Sequence, residues 1–249
     1  MVLMSASPHP APPSLESLLD QGPVSLFLDF DGTLVGLAPT PDSISPVPHL
    51  NAALTNLSDR LNGACAIVSG RALDDIASHI GQLALAGAGS HGADVRDADG
   101  NPLGAAPVSL PAQISEPLKE YAQANALGYE PKPHGAALHY RSEPSKGLEA
   151  HAFAEELANK NGWTTQSGKC VVEIVAGQSD KGTAVRAFLE VEPFASTRPF
   201  FLGDDLTDDK GFAVCNEFGG AGIIVGERLS SEAAYQLPDV DAVHRWLGL

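Results

Sequence analysis

The sequence predicts an α/β protein: a doubly wound parallel-sheet core interrupted by an inserted α+β cap domain. Two observations carry that reading. Short apolar runs alternate with stretches of helical periodicity, and the runs break off into Asp, Ser or Gly, as strands do where a ligand-binding edge begins. A central region, about 104–176, follows a different pattern and marks the insert.

Taken in order, the N-terminal stretch Met1–Pro13 is small, Pro-rich and without charged Lys, Arg, Asp or Glu. It has neither the basic start nor the apolar centre of a secretory signal, which predicts a flexible tail over residues 1–22. Val24–Leu28, Ala64–Val68, Leu83–Ala86, Phe200–Leu202 and Ile223–Val225 read as buried parallel strands. Pro48–Leu61, with Leu50, Leu54, Leu57 and Leu61 on one side, and Ala72–Ile80 have helical spacing. So does Gly182–Val191, after a Ser179/Asp180 pair suited to capping. The first part of the core is therefore expected at 23–103, the cap at 104–176 and the second part of the core at 177–249. Within the cap, Ile114–Ala126 and Leu148–Asn161 are amphipathic, and each precedes a strand-like alternation, Gly135–Arg141 and Lys169–Val175. The first alternation places Ala137, His139 and Arg141 on one face; the second sets Val171, Glu173 and Val175 against Val172, Ile174 and Ala176.

The 249 residues carry 15 Lys+Arg against 31 Asp+Glu, a formal net charge of −16. Such a field repels phosphate backbones and anionic membranes, so neither nucleic acid nor a membrane is an expected partner, and no obligate protein partner is evident. The three cysteines, Cys65, Cys170 and Cys215, show no metal-ligand spacing and no disulfide framework. Buried thiols in the reducing cytoplasm are the reading that follows.

Chemistry concentrates at the ends of the predicted strands. The first runs into Asp29-Phe30-Asp31-Gly32-Thr33, two carboxylates spaced i, i+2 whose repulsion calls for a cation or a proton. The fourth runs into Gly203-Asp204-Asp205, followed by Asp208 and Asp209 at a predicted helix start. Acids without nearby His or Cys select a hard cation such as Mg²⁺. At the second strand end, Val68-Ser69-Gly70-Arg71 offers a hydroxyl, a flexible turn and a guanidinium, a combination suited to an anion. Lys181 opens a helix against the dipole preference and so points to an anionic neighbour. Together these are the parts of phosphoryl transfer to an aspartate.

In this order, Asp29-Phe30-Asp31-Gly32-Thr33-Leu34, Ser69, Lys181 and Gly203-Asp204-Asp205 closely resemble the four motifs of the haloacid dehalogenase superfamily of phosphatases. Val68-Ser69-Gly70-Arg71, Gly89-Ser90-His91-Gly92-Ala93, His139-Tyr140-Arg141, Val172-Glu173-Ile174 and Asp204-Asp205-Leu206-Thr207-Asp208-Asp209 narrow the resemblance to the trehalose-6-phosphate phosphatases. The similarity runs from about Val24 to Val225.

The resemblance implies Mg²⁺-dependent hydrolysis of a sugar phosphate, trehalose 6-phosphate. It implies Asp29 as the nucleophile that becomes a phospho-aspartate. Asp31 would serve as acid and then base, its backbone carbonyl also touching the metal. Asp204 would complete the metal site and Asp208 would support it from behind. Ser69 and Lys181 would hold the phosphoryl oxygens. His91, Lys132, His139, Arg141, Lys169 and Glu173 match polar positions expected to face the sugar. Two departures stand out: Val175-Ala176 follow Glu173-Ile174 where the family carries Arg-Pro, and Asp209 stands where Glu is usual. The alternatives are a phosphatase of the same superfamily acting on a sucrose, mannosyl-glycerate or hexose phosphate, and a non-catalytic sugar-phosphate sensor.

Overall fold

The computed structural model describes residues 9–37, 49–82, 84–104, 109–132, 135–168, 170–175 and 179–249. In chain order its elements are α1 (Leu15–Leu19), β1 (Val24–Leu28), α2 (Leu50–Arg60), β2 (Cys65–Val68), α3 (Leu73–Ile80), β3 (Ala86–Gly89) and β4 (Asp94–Arg96). There follow α4 (Ala112–Ala124), β5 (Gly128–Lys132), β6 (Gly135–His139), α5 (Gly147–Lys160), β7 (Thr164–Gly168) and β8 (Val171–Val175). The chain then continues through α6 (Lys181–Leu189), β9 (Arg198–Gly203), α7 (Asp209–Glu217), β10 (Ala221–Val225), β11 (Ala233–Leu237) and α8 (Val240–Leu247). They fall into two compact units, Met1–Gly104 with Asp180–Leu249, and Ala105–Ser179.

The first unit is built on a seven-stranded sheet of order β11-β10-β9-β1-β2-β3-β4. β1 takes the centre because all five of its residues are buried, as a strand covered on both faces requires. Leu26 lies opposite Cys65 of β2 on one side and Phe200 of β9 on the other, both pairings parallel. The expected all-parallel sheet is corrected at one edge, where β4 runs antiparallel to β3. Asp94–Arg96 is half-buried throughout and has no apolar run to announce it. The third strand also lies later than its expected 83–86 (Leu83 itself is outside the described residues). Its Ala-Gly-Ala-Gly sequence lacks bulk for a reason: a Cβ on Gly87 or Gly89 would press into Leu73.

Residues 9–22 are not a tail. Ser14 caps α1 by accepting from Ser17 N at 3.2 Å, and Leu15 and Leu18 enter the core of the first unit. Three long-range hydrogen bonds hold the segment: Trp246 Nε1 to Pro13 O at 2.7 Å, Gln236 N to Pro10 O at 3.0 Å, and Arg198 Nη2 to Leu18 O at 3.0 Å. Five residues of helix with three leucines are too short to register as periodicity, so only the tertiary contacts reveal the element.

The second unit has a four-stranded antiparallel sheet of order β5-β6-β8-β7. β5 and β7 are strands beyond the two expected, and Pro131 is tolerated because β5 is an edge. Ile114, Leu118 and Ala122 of α4 and Ala150, Ala154 and Ala158 of α5 recur at i, i+4 and bury against Ala136, Leu138, Val172 and Ile174. The alternate residues therefore occupy the face without helices: Lys132 and Glu130 on β5, Ala137 and His139 on β6, Glu173 on β8 and Gln166 on β7.

Docking of the N-terminal helix predicts that Leu15→Ala costs about 2–5 kcal/mol. A urea midpoint equal to that of the parent chain would contradict it.

Candidate active site

Four adjacent strands end side by side. Asp29 follows β1, Asp204 follows β9, Ser69 follows β2, and the Ser90-His91 turn follows β3. Aromatic packing sets the first of these. Phe27 lies two residues before Asp29 and stacks with Phe194 at 5.5 Å and against Phe188 of α6 at 5.8 Å. That contact docks α6 against the centre of the sheet, and its first residue is Lys181. Asp180 caps the helix, its Oδ1 accepting from Thr183 N at 2.7 Å.

Lys181 is 3% exposed and its ammonium bridges two carboxylates. Nζ donates to Asp29 Oδ1 at 2.7 Å and to Asp208 Oδ1 at 2.5 Å. The second oxygen of Asp208 accepts from Asp205 N at 2.8 Å, so this fully buried carboxylate is held from both ends. Ligand oxygens of Asp29, Asp204 and Asp208 lie within 4.8 Å of one another. Two glycines permit that approach. Gly32, in left-handed conformation (φ 77°), lies against the Asp204 carboxylate where a Cβ would collide, and Gly203 lies as close to Asp208.

The electrostatics follow from the count of charges. Burial works to lower the pKa of Lys181, but Asp29 and Asp208 outweigh it and raise the pKa above the ordinary lysine value. Burial raises the Asp29 carboxyl well above the usual range; Lys181 opposes this, while Asp208 and Asp204 add to it. Burial, then Asp208 and Asp205, push Asp204 up to about 6. Three carboxylates thus share one ammonium, and the residual negative charge favours a proton or a cation. The donors are all oxygens, so the set fits a hard divalent ion.

Asp31 has its own cation. Arg71 grips it with a fork, Nε to Oδ2 at 2.6 Å and Nη2 to Oδ1 at 3.0 Å, and gives Nη1 to Asp75 at 2.7 Å. The guanidinium expected to be open to an anion is therefore engaged by two acids, Asp31 past the end of β1 and Asp75 four residues further along its own chain segment. Ser69 is buried; its Oγ accepts from Arg71 N at 3.1 Å and its carbonyl accepts from His91 N at 2.9 Å. The His91 ring lies over Gly70, where a Cβ would strike it.

In the second unit, Lys132 and Glu173 form an ion pair on the helix-free face. Glu173 Oε2 and Gln166 Oε1 are buried there without a hydrogen-bond partner among the described residues. His139 pairs with Glu130 at 2.7 Å on the same face. Arg141 lies past the end of β6 in a turn and so does not continue the strand face expected of it. Lys169 is outside the described residues. Gln166 went unnoticed in the sequence because β7 itself did.

Sequence reasoning also missed Arg228, which lies beyond every motif. Its guanidinium meets Asp209 and the backbone of Asp204 and Asp205, 24 and 23 residues earlier. No pattern in the sequence signals that contact.

Residues 27–240 match the trehalose-phosphatase family. The chain belongs to that family. A relative described as a probable trehalose-phosphate phosphatase, from Sinorhizobium fredii, is 39% identical over 226 residues, covering 88% of this chain and 84% of its own. Among solved structures, the C-terminal domain of Candida albicans trehalose-6-phosphate phosphatase superposes with a TM-score of 0.71 at 23% identity, covering 98% of this chain and 100% of its own. A phosphatase of the haloalkanoate dehalogenase superfamily from Bacteroides thetaiotaomicron gives 0.62 at 17% identity, covering 91% and 93%. These two likenesses concern the fold alone.

Two outcomes test the charge arrangement. Lys181→Met strands Asp29 and Asp208 together in the interior and is expected to cost about 3–5 kcal/mol; a denaturation midpoint within error of the parent would contradict it. The raised Asp204 carboxyl makes the folded, metal-free chain hold its proton longer than the unfolded one, between the usual 3.8 and about 6. Its contribution is therefore lost as pH rises through that window. Asp204→Asn in chelator should flatten the fall of the urea midpoint between pH 4 and 6; an equally steep fall would refute the assignment.

Proposed function

We propose that this chain is a phosphoric monoester hydrolase that converts trehalose 6-phosphate to trehalose and phosphate through a phospho-aspartate. The observation that carries the reading is the buried Lys181 bridging Asp29 and Asp208 beside Asp204, in a member of the trehalose-phosphatase family. Asp29 attacks phosphorus as the nucleophile, forming the bond from its carboxylate oxygen while the bond from phosphorus to the sugar oxygen breaks. Asp31, once protonated, gives its proton to the leaving sugar oxygen. The resulting carboxylate takes a proton from water, whose oxygen attacks phosphorus and releases phosphate and free Asp29.

The surroundings support those roles. Arg71 orients the Asp31 carboxylate by a two-point grip that a single contact would leave free to rotate. Lys181 and Ser69 hold the phosphoryl oxygens, the first supplying charge and the second a hydroxyl at the end of β2. Mg²⁺ is the cation that the oxygen donor set suits; Asp29, Asp204 and the Asp31 carbonyl would hold it, with Asp208 bracing them from behind. Bound there, it supplies charge that offsets the transferring phosphoryl group.

As sugar-binding residues we assign His91, Lys132, His139, Arg141, Lys169 and Glu173. Glu173 supports this most directly, because its buried unpartnered oxygen is relieved by a hydroxyl donor, and Gln166 joins it for the same reason. A small sugar phosphate is then the ligand, and the cytoplasm is the compartment we assign. Among the described residues no helix is long and apolar enough to cross a membrane.

Asp29→Asn is expected to lower phosphate release at least roughly a thousandfold while leaving the fold intact; retained turnover would refute the covalent route. With Mg²⁺ present, trehalose 6-phosphate should be the preferred member of a panel containing sucrose, mannosyl-glycerate and hexose phosphates. Preference for a hexose monophosphate would replace the substrate named here.

A further inference from the structure

The loop after β10 carries a side chain with more hydrogen bonds than its surface position requires. Arg228 Nε donates to Asp204 O at 3.1 Å, and Nη2 donates to Asp205 O at 2.8 Å and to Asp209 Oδ1 at 2.7 Å. Nη1 donates to Asp209 Oδ2 at 3.2 Å and to Leu229 O at 3.2 Å. All three nitrogens of the guanidinium are used. Two of the acceptors are the carbonyls of the residues that present carboxylates after β9.

Three features make this a clamp and not an incidental surface pair. The loop holding Arg228 is itself pinned: Gly226 N donates to Leu237 O at 3.0 Å, and Gln236 Nε2 returns a bond to Gly226 O at 2.5 Å. Ser230 is buried, donates to Asp209 Oδ1 at 2.7 Å and accepts from Glu232 N at 3.1 Å. Finally, both oxygens of Asp209 are engaged, by the two terminal nitrogens of Arg228 and by Ser230, so the counter-charge is fixed in place. On the far side of the same peptides, Asp208 accepts from Asp205 N. The Asp204-Asp205 segment is therefore gripped at its carbonyls from one direction and at an N–H from another, which leaves little freedom for the Asp204 carboxylate to swing from Asp29 and Asp208.

We propose that Arg228 is a positioning residue for the cation site: by fixing the Asp204 and Asp205 carbonyls it orients the Asp204 carboxylate and so sets the affinity for Mg²⁺. The assignment rests on the metal reading given under the proposed function. It also accounts for the Asp at position 209, since Asp209 meets the guanidinium through both of its oxygens. Supporting groups behind metal ligands typically change affinity by about 10–100-fold when removed.

The test is titration of the full chain with Mg²⁺ alone, followed by calorimetry, with thermal unfolding of the metal-free protein in parallel. Arg228→Gln is expected to weaken Mg²⁺ binding roughly tenfold or more. In activity assays the same variant should need more Mg²⁺ but recover most of kcat once saturated. Arg228→Lys keeps the charge without the fork and should fall between the two; it carries the test should the Gln variant fail to fold. Mg²⁺ affinity unchanged in the Lys and Gln variants, with only the unfolding temperature lowered, would overturn the proposal and leave Arg228 a structural residue. No Mg²⁺ binding by the parent chain would instead overturn the metal reading itself, and the proposal with it.

Discussion

A single buried ammonium organises this molecule's chemistry. Lys181 stands between Asp29 and Asp208, and each of the three is all but inaccessible to water. Removing the ammonium would leave two uncompensated carboxylates in the interior, a penalty of several kcal/mol, so the strands and helices that carry the three groups are tied to one geometry. β1 must end at the level where α6 begins, and the turn before α7 must bring Asp208 back under both. The Phe27, Phe188 and Phe194 cluster supplies the apolar contact that makes this alignment favourable.

The second consequence concerns charge. A chain of formal charge −16 is a poor general surface for an anionic ligand, yet the carboxylates clustered at its strand ends sit among cations. Asp29 has Lys181, Asp31 has Arg71, and Asp209 has Arg228. The site resolves the repulsion of the Asp29/Asp31 pair by giving each acid a different partner from a different element. Among the described residues Asp204 makes no ion pair, and burial, with Asp208 and Asp205 beside it, raises its carboxyl. The remaining appetite for positive charge is therefore local to the strand ends, whatever the sign of the whole surface.

Legibility in the sequence divided along physical lines. β1 could be read almost residue by residue, because a strand buried on both faces is nearly all apolar, here with Ser25 the one exception, and then stops at Asp29. α2, α4 and α5 were legible from their spacing. β3 was misplaced because its function in packing is to be small beside Leu73, and smallness carries no periodicity. β4, β5 and β7 were missed since edge strands with polar residues look like loops, and α1 was missed since five residues cannot show a helical period. Of the candidate site, Asp29, Lys181, Asp204 and Asp208 come together in the first unit, while Arg71 turned out to be gripping Asp31 and Asp75 and Arg141 lay beyond its strand.

By itself, then, the sequence determined the buried central strands, the longer helices and the polar side chains that stand at the strand ends. Those properties are local, written in runs of neighbouring residues and in the turn chemistry that stops them. Only the tertiary structure decided the pairings: which acid meets which cation, which face of the second sheet is left without helices, and that a loop after β10 reaches back to the Asp204-Asp205 peptides. Such contacts join residues that are distant along the chain, and a hydrogen bond between them leaves no trace in the spacing of either.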